Sequence, residues 1–176
     1  MRFISVVTVI LASVFALGAN EQSEKIKWHS FEEAVELSRE NPRKILIDIY
    51  TDWCGFCKRM DAETFSDPQV ARFINKHFYP VKLNSETRDT IEFQGHVFIN
   101  EGEGRRSPHQ LSVALLQGQM SYPSIVYINE DLELLTAVPG FRTPEQIEPL
   151  LRFIGEDHYL QQSWENYQQN FAGSFR

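Results

Sequence analysis

Asp48-Ile49-Tyr50-Thr51-Asp52-Trp53-Cys54-Gly55-Phe56-Cys57-Lys58 is the stretch that decides the reading of the chain. It joins an apolar, β-branched run, Lys44 to Tyr50, to a helical pattern that continues to about Ala62. The run reads as a buried central strand, and Asp48 is the anomaly inside it. A carboxylate is costly to bury as a charge. Burial raises its pKa and makes it a candidate proton acceptor near neutral pH. The bland alternative is a strand-end Asp facing water, and the apolar flanks count against it. Cys54 falls where the strand gives way to the helix. Free N–H groups and the positive end of the helix dipole stabilise a thiolate there. Cys54 is expected to stand exposed and to attack a partner disulfide. Cys57, one turn inward on the same side, would resolve the mixed disulfide. Gly55 lets the turn approach a substrate closely.

Two other uses of C-x-x-C stay in view. Half a zinc site needs two further ligands, and the five histidines (His29, His77, His96, His109 and His158) show no ligand spacing. No metal is therefore expected. A structural bridge closing so small a loop restricts the unfolded chain little, and small secreted frameworks use more cysteines than the two present. The pair suits chemistry better than stability.

Moving outward, Ser30-Phe31-Glu32-Glu33 is an S-x-x-E capping box, with Ser30 as N-cap and Glu33 at N3. It opens a helix with Phe31, Ala34, Val35 and Leu37 on one face, ending near Asn41-Pro42. Asp67-Pro68 starts a second helix after the motif, lined by Val70, Phe73, Ile74 and Phe78. Tyr79 to Leu83 reads as a strand. Ile91 to Ile99 suggests a strand pair turning at Gln94-Gly95, and Glu101 to Gly104 a loop. Ser107-Pro108 reads as another N-cap with Pro at N1, its helix running through Leu111, Ala114 and Leu115 to Gly118. Ser124 to Ile128 and Leu132 to Val138 form a hairpin about Asn129-Glu130-Asp131. Thr143-Pro144-Glu145 opens a helix with Ile147, Leu150, Leu151 and Ile154 inward, interrupted by Pro149. A last amphipathic helix is predicted over Glu156 to Phe171. A βαβ opening followed by an antiparallel hairpin and a covering helix is an α/β fold with a mixed sheet.

At the N-terminus, Arg2 precedes an apolar run from Phe3 to Leu17, then the small residues Gly18 and Ala19. That is the order of a secretory signal peptide over residues 1–19. The run is shorter than the ~20 residues a transmembrane helix needs; an uncleaved anchor is the alternative. Once the leader is cleaved, no stable membrane insertion is expected. The chain ends Gly173-Ser174-Phe175-Arg176, without a retrieval tetrapeptide, so the expected location is periplasmic or secreted. Net charge is −7 without a basic cluster, which makes nucleic acid an unsuitable partner.

The opening stretch resembles the active site of the thioredoxin family. In that family a buried Asp lies six residues before the first Cys, as Asp48 does, and Trp53 and Lys58 flank the pair in the same way. Tyr122-Pro123-Ser124 resembles the family's cis-proline loop, and Gly140 also fits. The resemblance covers roughly residues 28–154. It implies a thioredoxin fold, a central mixed β-sheet flanked by helices, over residues 20–154. An insertion of about residues 85–118 would precede the cis-proline loop, and a helical extension would follow over residues 155–176. It implies Cys54, Cys57 and Asp48 as catalytic residues. It implies a substrate surface of Trp53, Gly55, Phe56, Tyr122 and Pro123, the last two offering backbone hydrogen bonds to a peptide. Asp61 to Val70 is similar to exported thioredoxin-like domains, including the periplasmic C-terminal domain of the transmembrane disulfide-reducing transporter.

Two departures matter. Phe56 replaces the usual proline between the cysteines, so the family's redox poise does not carry over. The insertion is either a substrate-selecting lobe or a tolerated surface loop. The function implied is reduction of disulfides in exported proteins. With no flavin or nicotinamide motif, the only cofactor expected is the Cys54–Cys57 couple itself, recharged by a partner reductase or membrane electron donor. A dithiol oxidase or isomerase is the alternative direction. A non-catalytic binding or chaperone module on the same scaffold is the alternative class; retention of both cysteines, Asp48 and Pro123 speaks against it.

Overall fold

The computed structural model of the chain describes residues 24–175. The proposed signal peptide, residues 1–19, lies outside them. Helix α1 (Phe31–Glu40) leads into strand β1 (Lys44–Tyr50), followed by α2 (Gly55–Glu63), α3 (Pro68–His77) and β2 (Phe78–Asn84). A small hairpin, β3 (Ile91–Phe93) and β4 (His96–Phe98), and α4 (Gln110–Leu115) come next. The hairpin β5 (Ser124–Ile128) and β6 (Leu134–Pro139) and the helix α5 (Pro144–Gly155) complete the main body. The main sheet has the order β2-β1-β5-β6, with β1 parallel to β2 and antiparallel to β5. Among the described residues no helix is long and apolar enough to cross a membrane.

Strand β1 is apolar apart from Lys44 and Asp48, because both of its faces are covered. Ile45, Ile47 and Ile49 join α1, Leu111 and Leu115 in one core. Leu46 joins Met60 of α2, Ile74 of α3 and Ile147 and Leu151 of α5 in the other. Alternation along a strand then decides where Asp48 goes. It shares the face of Leu46, on the side that α2 covers. Pro80 can occupy the middle of β2 because β2 is an edge of the sheet. The segment before α1 runs along that edge, where the His29 N–H donates to the Pro80 carbonyl at 2.9 Å.

The helix ends differ from expectation in instructive ways. Ser30 Oγ caps α1 by accepting from the Glu33 N–H, but the Glu33 carboxylate turns to His29 Nδ1 at 3.0 Å instead of closing a capping box. A reciprocal box forms at Thr143 and Gln146 on α5. The cap of α4 is His109, not Ser107. Its Nδ1 accepts the Leu111 N–H while Nε2 bonds the Asp89 carbonyl, so a buried imidazole does the work expected of a hydroxyl. Phe78 belongs to β2, not to the face of α3. The predicted terminal helix splits into a 3-10 turn (His158–Leu160), preceded by Asp157 in a left-handed conformation, and a short α6 (Trp164–Gln169). Aromatic packing holds this end: Trp164 and Tyr167 lie 5.3 and 5.1 Å from Phe153 of α5.

Candidate functional site

Cys54 is the N-cap of α2, and its Sγ accepts the Cys57 N–H at 3.0 Å. The two cysteines are joined in a disulfide, S–S 2.08 Å. Cys54 was expected to stand exposed. It is 5% exposed and Cys57 3%, with the two sulfurs bonded to each other at the start of the helix. What faces solvent is the rim: Trp53 at 49% and Phe56 at 61%. A Cβ on Gly55 would meet nothing within 4 Å, so this side of the turn is open to an approaching chain.

Beneath the helix, Asp48 is buried, and burial pushes its carboxyl up to about 6 against the opposing pull of Lys82. Lys82 faces Asp48 across the parallel β1–β2 register. Its Nζ lies 3.2 Å from Asp48 Oδ2 and also pairs with Asp61 of α2. The rings of Tyr50, Trp28 and Phe65 surround the ammonium at 5.1, 5.2 and 5.7 Å. Asp48 Oδ1 is buried without a hydrogen-bond partner among the described residues. An ionisable carboxyl with an idle oxygen is equipped to take up a proton and return it.

The third wall is the loop before β5. The Tyr122–Pro123 peptide is cis. The Tyr122 hydroxyl is 2.7 Å from Ser85 Oγ, and its ring stands edge-on to Trp53 at 6.0 Å. Pro123 is buried, and its carbonyl accepts the Gly140 N–H at 2.8 Å. Trp53 Nε1 donates to Glu86 Oε1 at 2.7 Å. Sequence reasoning missed Lys82 and Glu86. A lysine at an inward position of the apolar strand FYPVKLN was the available signal for the first; nothing in the sequence pattern marked the second.

A sheet of order β2-β1-β5-β6, a Cys-x-x-Cys disulfide at a helix N-terminus and a cis-proline beside it accompany a match to the thioredoxin-like domain family over residues 31–155. The chain belongs to the thioredoxin-like family. Similar curated proteins include the thiol:disulfide interchange protein DsbD of Haemophilus influenzae, 26% identical over 115 residues, or 63% of this chain and 17% of that protein. DsbD of Yersinia enterocolitica is 25% identical over 122 residues, or 65% of this chain and 18% of that protein. The chain thus spans less than a fifth of these relatives. Among solved structures, a thioredoxin-fold protein from Helicobacter pylori superposes with a TM-score of 0.56 at 19% identity, covering 73% of this chain and 80% of its own. A putative disulphide isomerase from Bacteroides thetaiotaomicron gives 0.53 at 24% identity, covering 77% and 97%. The structural likenesses agree on the thioredoxin fold, in which this chain holds its close cysteine pair.

Proposed function

We propose that the chain is a thiol–disulfide oxidoreductase that reduces disulfides of exported proteins, periplasmic or secreted, after loss of the leader at residues 1–19. The observation that carries this reading is the Cys54–Cys57 couple at the start of α2, on the sheet face that holds Asp48 and Lys82. In the reduced form the Cys54 thiolate attacks one sulfur of a substrate disulfide. That bond breaks, a mixed disulfide forms, and the first substrate thiolate leaves and takes a proton. Cys57 then gives its proton to the Asp48 carboxylate and attacks Cys54 Sγ. The mixed disulfide breaks, the second substrate thiol departs, and the Cys54–Cys57 bond is restored. Two electrons pass to the substrate, and a dithiol of a partner reductase or membrane electron donor returns them to the chain. Trp53, Phe56 and Gly55 form the apolar approach. The N–H and C=O of Tyr122, free of partners among the described residues, pair with an extended substrate strand.

The similarity of Asp61 to Val70 to exported reducing domains supports the reductive direction, as does the partial likeness to DsbD proteins. The test is the reduction potential of the Cys54–Cys57 pair, by equilibration with glutathione and dithiothreitol. A value near about −270 mV supports a reductase, whereas one near about −120 mV belongs to a dithiol oxidase and overturns the direction.

A further inference from the structure

The segment between β2 and the cis-proline loop does more than bridge them. Its β3–β4 hairpin and α4 enter the core through Ile91, Leu111 and Leu115. Between β4 and α4 the chain makes an irregular arm, residues 99–109, that returns to the edge of the cysteine pair. Two side chains fix this arm to the body. Arg88 donates from Nη1 to the Asn100 and Gly102 carbonyls at 3.0 and 2.6 Å and from Nη2 to the Gly104 carbonyl at 2.8 Å. Asn100 Nδ2 in turn donates to the Thr87 and Ser107 carbonyls at 3.1 and 2.7 Å. Thus braced, the arm carries Arg106 over the face of Trp53, with its guanidinium carbon 4.7 Å from the ring centroid.

Asp52, Trp53, Asn84, Glu86, Arg105 and Arg106 line an open cleft of about 520 Å³. The acidic and basic side chains of this lining differ in what they leave available. The carboxylates are engaged: Glu86 accepts the Trp53 indole N–H and Asp52 accepts from Asn84 Nδ2 at 3.2 Å. The guanidiniums are not. Both arginines are exposed, and neither has a hydrogen-bond acceptor or carboxylate partner among the described residues. The bonds to Glu86 and Asp52 come from neutral donors and leave the two carboxylate charges in place, so what the cleft offers unpaired is the pair of guanidinium forks, with Arg106 on Trp53, the neighbour of Cys54. Such donors match carboxylates.

We infer that the Arg105–Arg106 arm is a specificity device that docks an acidic segment of the partner polypeptide beside the disulfide that exchanges with Cys54. This rests on the thiol-exchange reading above. Charge complementarity of this kind acts chiefly on the rate of encounter and fades with salt.

The probes are three peptides, each with one cysteine held as a mixed disulfide with nitrothiobenzoate, identical except for two flanking residues: Glu-Glu, Gln-Gln or Lys-Lys. The full chain is reduced, and nitrothiobenzoate release is followed at low and at high salt. The Glu-flanked peptide is expected to react about tenfold faster than the Lys-flanked one at low salt, with the ratio falling to about one at high salt. In the double variant Arg105→Gln, Arg106→Gln the ratio should be close to one at either salt. A merely structural role would slow all three peptides alike and leave the ratio standing. Equal rates for all three peptides with the unmodified chain, or an unchanged ratio in the double variant, overturn the docking role while leaving thiol exchange intact. No release from any peptide overturns both.

Discussion

At Asp48, burial and an ion pair pull in opposite directions. Burial is the larger effect, so the carboxyl titrates near 6 in place of its ordinary 3.8. The folded chain keeps a proton that the unfolded chain has released between those values. Stability therefore falls as pH rises from about 4 to about 6 and stays lowered above. About two pH units correspond to about 3 kcal/mol. Asp48→Asn removes that cost, and Lys82 keeps Asp61 as a partner. Urea unfolding of the oxidised variant should show a gain of up to about 3 kcal/mol at pH 7.5, shrinking toward zero near pH 4. The same substitution should slow resolution by Cys57 more than attack by Cys54; equal slowing of both steps speaks against a dedicated proton acceptor. The two sulfurs separate in the same way. Cys54→Ser should reduce disulfide turnover to the uncatalysed background, whereas Cys57→Ser should accumulate a mixed disulfide on Cys54, detectable by intact mass; absence of that adduct refutes the resolving role.

Elements show the same interplay of pattern and context. Strand β1 was legible because both of its faces are covered and its residues are nearly all apolar. Helix α3 was legible because Asp67 caps it through bonds to the Gln69 and Val70 N–H groups, with Pro68 in its first turn. The arm between β4 and α4 was not, because its order comes from side-chain bonds to backbone carbonyls, which leave no periodic trace. Arg88→Ala deletes the brace that spans Asn100 to Gly104. Trypsin should then cut at Arg105 and Arg106 about tenfold faster, while global stability falls by less than about 1 kcal/mol. Unchanged cleavage would mean that other contacts hold the arm.

At the scale of the whole molecule, the C-terminal segment closes back on the body. Glu148 of α5 is 1% exposed, and its two oxygens accept the Ser174 N–H, the Phe175 N–H and the Ser174 hydroxyl, besides pairing with Arg152. Phe175 is buried, its ring 6.0 Å from Phe73 of α3. Ending the chain after Gly173 removes an aromatic from the core and strips a buried carboxylate of three donors. Urea unfolding should register a loss of about 2–4 kcal/mol. A loss below about 1 kcal/mol would show the tail to be a surface attachment.

The sequence by itself determined the strand–Cys-x-x-Cys–helix unit, the inward-facing Asp48, the proline loop before the hairpin and most of the helices. Each is written in residues close together in the chain, through period, caps or spacing. It did not determine that Lys82 would stand against Asp48, that Glu86 would hold Trp53, that both sulfurs would be covered, or that Glu148 would grip the C-terminal segment. Those pairs are brought together by strand register and by folding-back of distant segments. Burial of a charge and satisfaction of a buried polar atom are properties of the surroundings, and only the tertiary structure supplies the surroundings.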